Sequence, residues 1–298
     1  MNLQNLRVFL KVAELEHITR ASEELNLSQP AVTKIIQGLE HEIHLDLVER
    51  QGRRIVLTHA GRVLQTYARQ IFSLEREMEE AMEALRDVDA GEITFAANTT
   101  AWVYLLPPVV AEFRARYPKV ALNIAILNSQ EIVEQTLNWS LDFGLVEGDA
   151  ATLPEQLNVW RIAYDDLVLV VAPRHRWSRL DGVQPEMLGP EELIVRESGS
   201  GIREMIEHTL LHRNVMLRPL LVLSDNEAMK QMVINGVGAA ILSYFSIRRE
   251  LANGELVALP IAGLNLRTQV SLVQRTDKQL SRAAQAFCAF LYPLNEGV

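Results

Sequence analysis

The sequence predicts an α/β protein with an all-α N-terminal module: a winged helix–turn–helix, a long coiled-coil linker helix, and a larger α/β domain. Three observations carry that prediction. Apolar residues recur at helical spacing from Leu3 to Ile43, ahead of two short β-prone pieces that end at Leu57. From Leu64 to Val88 they recur in unbroken alternating steps of three and four. Beyond Gly91 short β-prone runs alternate with helical stretches, the pattern of α/β units with largely parallel sheets.

The N-terminal elements follow in order. Leu3, Leu6, Phe9, Leu10 and Ala13 form the buried stripe of a first helix. Thr19–Leu25 forms a short second helix that ends at Asn26-Leu27-Ser28. Ser28 suits the N-cap of a third helix, and Pro30 is tolerated in its first turn. Val32, Ile35, Ile36, Leu39 and Ile43 face inward there, leaving Gln29, Thr33, Lys34 and Gln37 on the opposite face. Leu47–Arg50 and Arg54–Leu57, joined across Gln51-Gly52-Arg53, read as a β-wing.

Thr58 caps a long helix expected to run to about Val88. Leu64, Tyr67, Ile71, Leu74, Met78, Ala81, Leu85 and Val88 make an a/d heptad seam between strongly polar faces. Such a helix either packs on its own domain or pairs with a second copy. The narrowness of the stripe favours pairing, hence a homodimer.

Strands are expected at Ile93–Ala96, Val120–Ile126, Phe143–Val146, Leu167–Val171, Leu220–Leu223, Ala239–Leu242 and Val270–Val273. Helices are expected near Tyr104–Tyr117, Glu131–Asn138, Arg203–His212, Glu227–Asn235 and Lys278–Tyr292. Four polar segments fall at strand-to-helix turns: Asn98-Thr99-Thr100, Asn128-Ser129, Ser198-Gly199-Ser200-Gly201 and Ser224-Asp225-Asn226. Helix N-termini offer unpaired N–H groups and partial positive charge, so together these turns suit a small anion, although each alone is an ordinary cap. Thr99, Thr100, Asn128, Ser129, Ser198, Ser200 and Asn226 are the candidate contacts. Arg203 either neutralises the anion or pairs with Glu197 or Glu207.

Composition removes several function classes. The chain has 298 residues, 48% hydrophobic and 22% charged, which is ordinary globular usage. No apolar run reaches the ~18 residues of a membrane span, and Arg7, Lys11 and Glu14 interrupt the N-terminal apolar residues as no signal peptide would. A soluble, cytoplasmic protein is expected. The single cysteine, Cys288, excludes an internal disulfide, and its neighbours Phe287 and Phe290 suggest a core thiol. The seven histidines show no metal spacing, and His208 and His212 lack the glutamate of a zinc motif. Gly236-Val237-Gly238 lacks the third glycine of a dinucleotide loop, and Ser198 stands where a nucleophile elbow needs glycine. No enzyme, metal or cofactor is expected.

The net charge of −9 does not exclude nucleic acid. Met1 to Thr66 carries eight Lys/Arg against eight Asp/Glu, with Arg50, Arg53 and Arg54 clustered. The second helix of a tight pair can enter the major groove, where Gln29, Thr33, Lys34 and Gln37 offer donors and acceptors to base edges. The wing arginines suit phosphates or the adjacent minor groove. A hairpin used only for packing is the alternative, and a polar, acid-poor face argues against it. A solute-binding protein or enzyme with an incidental helical domain is the rival of another class, with no use for such a face.

The stretch Ala21–Glu40, with Ser28-Gln29-Pro30 opening its second helix, resembles the winged helix–turn–helix of LysR-type transcriptional regulators. Arg50-Gln51-Gly52-Arg53-Arg54 and Leu57-Thr58-His59-Ala60-Gly61 continue the resemblance, which covers the whole chain. His44 stands where the family usually has glycine, and Val48 where phenylalanine is common. The resemblance implies a DNA-binding domain over 1–58, a dimerisation helix over 59–88 and an effector-binding domain over 89–298. The last would be two-lobed, similar to type 2 periplasmic binding proteins, with lobe I at about 89–162 and 267–298 and lobe II at about 163–266. It adds Ser28 and Pro30 to the DNA contacts.

Tyr104–Pro108, Gly144–Gly148, Arg196–Gly201 and Asn226–Lys230 resemble the branch containing regulators of carbon-dioxide fixation and sulfur assimilation, which sense small anionic metabolites. That adds Glu147 to the effector contacts, while Ile202 replaces a threonine usual in the branch. The partners implied are double-stranded DNA at an interrupted palindromic promoter site, a small-molecule effector, further copies of the chain up to a homotetramer, and RNA polymerase.

Overall fold

Asn2 opens the first helix, α1 (Leu3–Leu15), by accepting the Gln4 N–H through its side chain. The computed structural model describes residues 2–51, 54–84, 91–188 and 192–292. Two units make up the chain, one of Met1–Glu80 with Asn138–Ser140 and one of Ala81–Leu137 with Leu141–Val298.

In the first unit α1 is followed by α2 (Ile18–Glu24), α3 (Gln29–Ile43), the strands β1 (Val48–Gln51) and β2 (Arg54–Leu57), and α4 (His59–Ala84). Leu6, Phe9, Val12, Val32, Ile36, Leu39, Leu47 and Ile55 form its core. Leu3, expected inside, is half exposed at the helix start. The turns are sharp: Glu16, Asn26 and His44 all have φ between 50° and 56°, the left-handed region. Gly61 has no room for a β-carbon, which would lie 2.1 Å from the Leu47 carbonyl oxygen.

Thr58 starts α4 as expected, accepting the Gly61 N–H at 3.0 Å. Two stripes then separate on this helix. Leu64, Ala68 and Phe72 pack on the core of the first unit, with the Arg7 guanidinium 4.4 Å above the Phe72 ring and 2.6 Å from Glu75. Tyr67, Ile71, Leu74 and Met78 are exposed on another face. Leu64 thus serves the unit's own core, whereas the next four seam residues do not.

The second unit runs β3 (Gly91–Ala97), α5 (Leu106–Arg116), β4 (Val120–Ile126), α6 (Ser129–Leu137), β5 (Phe143–Gly148) and β6 (Leu157–Val171). It continues with β7 (Ile194–Arg196), α7 (Gly201–Leu211), β8 (Leu221–Leu223), α8 (Asn226–Ile234), β9 (Ala240–Ser243), α9 (Tyr244–Ala252), β10 (Val257–Leu259), β11 (Arg267–Arg275) and α10 (Arg282–Leu291). One sheet has the order β10-β6-β11-β5-β3-β4, with β9 also paired to β6, and β7–β8 form a second.

Among the described strands the parallel pairs are β3–β4, β3–β5 and β7–β8, with isolated parallel bridges at Val183–Ile261 and Leu193–Ala239. The expected largely parallel sheet is corrected: β11 runs antiparallel to β5 and β6, and β6 antiparallel to β9 and β10. The reason is the long strand β6. Its first ten residues run along β11, all but Ile162 paired across a bulge, and its last five pair with β9 and β10. The chain therefore crosses from one core to the other along β6 and returns along β11, in opposite directions. Phe95, Phe113, Phe143 and Phe287 fill the first core, with Cys288 buried among them. Leu169, Trp177, Ile206 and Ile241 belong to the second.

Candidate functional site

The helix whose polar face the sequence assigns to DNA is α3. Ser28 Oγ accepts the Ala31 N–H at 3.3 Å, so the helix starts where the sequence indicates. Gln29, Pro30, Lys34 and Gln37 are exposed, and Thr33 is half-buried beside them. Arg54 is exposed at the start of β2. Arg53 lies outside the described residues, as does the side chain of Arg50. Leu85 and the side chain of Ala81, both placed in the dimer seam, lie outside them too.

Glu40 was not singled out from sequence. Its Oε1 accepts the Leu47 and Val48 N–H groups at 2.9 and 3.2 Å, fixing the strand β1 to α3. The Ile55 N–H donates to the Glu16 carbonyl at 2.9 Å, which holds β2 against the end of α1. A lone glutamate on a polar face carries no sequence signal for such a role.

In the second unit all four polar turns fall between a strand and a helix, after β3, β4, β7 and β8. Hydrogen bonds join them. Asn226 Nδ2 donates to Thr100 Oγ1 at 3.5 Å, and Arg196 Nη1 donates to Asn226 Oδ1 at 2.5 Å. The Gln130 N–H donates to the Gly199 carbonyl at 3.1 Å. Ser129 Oγ donates to the Glu147 carbonyl at 2.9 Å, and Asn98 Nδ2 donates to Glu147 Oε2 at 2.7 Å. Asn98, Asn128, Ser129, Glu147, Arg196 and Ser200 line one narrow crevice together with Gly201 and Ile202.

The remaining candidates sit apart from it. Ser198 is exposed, Thr99 half-buried, and Thr100 and Asn226 buried, and none of the four lines the crevice. Arg203 donates to Glu207 Oε1 at 2.7 Å and to the Arg196 carbonyl at 2.9 Å, the second of the two alternatives raised for it. The cation at the crevice is Arg196, which sequence reasoning left inside a motif because an arginine ending a strand is unremarkable by pattern.

Two caps are already engaged: Ser200 Oγ accepts the Arg203 N–H, and Asn128 Oδ1 accepts the Glu131 N–H. The crevice measures about 10 Å³, room for a water molecule at most. Ser129, Glu147 and Gly201 also line a larger cavity of about 360 Å³, walled by Val133, Val146, Leu153 and Met205.

Glu147 dominates the local electrostatics. It is 2% exposed, and its Oε1 is buried without a hydrogen-bond partner. Burial pushes its carboxyl up to about 8, and the nearby Asp165 charge pushes the same way, against Thr100, Asn98 and Arg196. Burial also raises Asp165 to about 6, against the Ser243 hydroxyl and the N–H groups of Phe245 and Tyr244 at the start of α9. Cys288 is pushed up to about 12 by burial, as an inert core thiol should be. Among the described residues no group of His, Cys, Asp or Glu could hold a metal, and no helix is long and apolar enough to cross a membrane.

Known proteins agree with this architecture. Residues 3–62 match the bacterial regulatory helix-turn-helix protein, lysR family, and residues 86–293 match the LysR substrate binding domain. The RuBisCO operon transcriptional regulator of Allochromatium vinosum is 36% identical over 293 residues, covering 98% of this chain and 95% of its own. The structure of full-length CbnR complexed with target DNA superposes with a TM-score of 0.66 at 23% identity, covering 99% of this chain and all of its own. The regulatory domain of CcmR from Synechocystis PCC6803, in complex with 2-PG, covers 70% of this chain and 98% of its own, with a TM-score of 0.62 at 27% identity. A helix–turn–helix reader, a long helix and a crevice built from strand-to-helix turns thus occur here in the order that the two family models span, and the chain belongs to the LysR family of transcriptional regulators.

Proposed function

We propose that the effector of this regulator is a small anion, held in the crevice where three of the four strand-to-helix turns meet, the fourth joining through Asn226, and that the two lobes part to widen the crevice for it. The observation that carries this is their convergence, with the N-termini of α6 and α7 and the Arg196 guanidinium on one crevice. 2-PG, the ligand in the CcmR structure, is the first candidate. Ligand preference for one spacing of the two lobes would then bias the arrangement of the DNA-reading domains, by linkage.

The reader would be a homodimer joined through Tyr67, Ile71, Leu74 and Met78, a homotetramer as the larger assembly, bound in the cytoplasm to an interrupted palindrome. RNA polymerase would be its further partner at the promoter. The DNA half is tested by gel shift with the DNA upstream of its own gene. Gln29→Ala should relax base preference, by roughly 1–3 kcal/mol for a lost base contact. Arg53→Ala should weaken all DNA about equally and lower the salt slope by about one phosphate. Unchanged footprints in Gln29→Ala would remove α3 as the reader.

The effector half is tested by thermal shift against metabolite anions. A true ligand at ~100 times its Kd stabilises by about 2.7 kcal/mol. No response to any anion, with DNA binding intact, would remove the crevice from this reading.

A further inference from the structure

We infer that Glu147 occupies the effector crevice as a neutral acid whenever an anion is bound there, and that its acid proton donates a hydrogen bond to the ligand. The inference rests on the anion reading above and goes beyond it: the site takes an anion together with one proton.

The geometry leaves little choice. Glu147 lines the crevice, is buried, and has one oxygen held by Asn98, while the other has no hydrogen bond of good geometry although the Thr100 hydroxyl lies beside the carboxyl. Its other polar surroundings are already committed. Ser129 Oγ both donates to the Glu147 carbonyl and accepts the Glu147 N–H. The groups that face it differ by element. The turn after β3 presents the Asn98 amide and the Thr100 hydroxyl, β6 presents the Asp165 carboxyl, and β7 presents Arg196. The ladder from β11 places the apolar Val270 opposite it, and α7 begins at Gly201 against its carbonyl.

Arg196 is the one cation among the described residues lining the crevice, and its charge is shared. Its Nε and Nη2 donate to the two carboxylate oxygens of Glu197 at 3.0 and 2.9 Å, and Nη1 donates to Asn226. An anion entering beside an ionised Glu147 would put two negative charges together in a dry site, against one guanidinium already paired. Buried like charges at that range do not both persist, and protonation of one is the cheaper outcome. The step balances simply: the carboxylate takes one proton from solvent as the anion enters, and the resulting O–H replaces a repulsion with a donor. Burial has already raised this carboxyl to about 8, so at neutral pH most of the protonation precedes binding.

The experiment uses the full chain with sulfate, whose charge is constant above pH 5, and with 2-PG. Calorimetry in buffers of unlike ionisation enthalpy counts protons taken up. Wild type should bind with constant affinity near pH 7, weaken toward tenfold per pH unit above pH 9, and take up close to one proton per site there. Glu147→Gln keeps a neutral donor at the same place, so its affinity should not follow pH. Binding by wild type that is equal at pH 7 and 9.5, with no proton uptake, would overturn the inference while leaving the anion reading standing. Loss of binding at pH 7 in a folded Glu147→Gln would overturn it as well, because it would show that the carboxylate is needed as an acceptor. Failure of both anions to bind at every pH would overturn both readings.

Discussion

Gly201 stands so close to Glu147 that a β-carbon on it would lie 1.8 Å from the Glu147 carbonyl oxygen and 3.1 Å from Ser129 Oγ. The first residue of α7 is therefore seated directly on the end of β5, and this contact sets how near the two walls of the crevice approach. Gly201→Ala cannot keep it. The helix must withdraw or β5 must bend, which for overpacking of this kind costs about 1–3 kcal/mol. The variant should unfold at lower temperature in its second unit, and stabilisation by anions should shrink because the walls no longer meet. Calorimetric unfolding with and without sulfate checks both, and a profile identical to wild type would mean the contact is loose.

The two raised carboxyls make stability depend on pH in a defined direction. Glu147 moves from 4.5 to about 8, and Asp165 from 3.8 to about 6. Between those limits the folded chain holds protons that the unfolded chain has lost. Stability from these groups is therefore greatest below pH 4 and declines as pH rises, flattening above about 8. Glu227, Glu250 and Asp277 shift the other way, but their contribution is complete once pH passes the ordinary carboxylate value. His175, lowered from 6.5 by burial, opposes the raised pair below about pH 6.5, so Glu147 is isolated by comparing its own variant with wild type. Glu147→Gln removes the larger share. Its melting temperature should gain on wild type steadily from pH 5.5 to 8.5, within a bound of about 5 kcal/mol set by the shift. A constant difference across that range would show that Glu147 titrates normally.

The parts legible in the sequence are those where one chain segment determines its own structure. The caps Ser28 and Thr58, the turn at Asn26 and the four polar turns before α5, α6, α7 and α8 were readable because capping and turn chemistry are local. The crossing strand β6 was readable only from Leu167 on, since Leu157–Asp166 mixes Asn158, Arg161, Asp165 and Asp166 among its apolar residues. It lies in the sheet because β11 pairs with it, and that partner is about a hundred residues away in sequence. Arg196 and Asn98 escaped as site residues for the same reason: what gives each its place is a contact with Asn226 or Glu147 from another element. The helix α9 starts at Tyr244 directly after β9, and its N-cap Ser243, being also the last residue of the strand and making no side-chain cap hydrogen bond, marks it only weakly.

His44 occupies the left-handed position that ends α3, with φ 56° and ψ 32°, its N–H donating to the Glu40 carbonyl. A side chain there carries a steric cost that glycine avoids, of roughly 1 kcal/mol. The imidazole is exposed, so nothing is lost from the core on removing it. His44→Gly should raise the stability of the first unit by about 0.5–1 kcal/mol, less whatever entropy the freer unfolded chain regains. Urea unfolding followed by a probe in this unit measures it. A loss of stability would show that the His44 ring makes a contact the turn depends on.

Ile71 and Leu74 project from α4 at 37% and 66% exposure, between Tyr67 and Met78, while Leu64, Ala68 and Phe72 hold the helix to its own core. The two stripes can therefore be broken independently. Lysine at 71 and 74 leaves the inner stripe untouched, so the single chain should keep its helical content and the fold of its first unit. In a paired helix the same two charges would be buried against the partner's seam, where neither is solvated without parting the helices. Sedimentation should show the double variant as smaller species than wild type, and its affinity for a palindromic site should fall while that for a half-site persists. The reciprocal variant, Phe72→Ala, removes a half-buried side chain from the inner stripe and should lower the stability of the first unit by about 1–3 kcal/mol. A double lysine variant that sediments as wild type would move the pairing surface away from this helix.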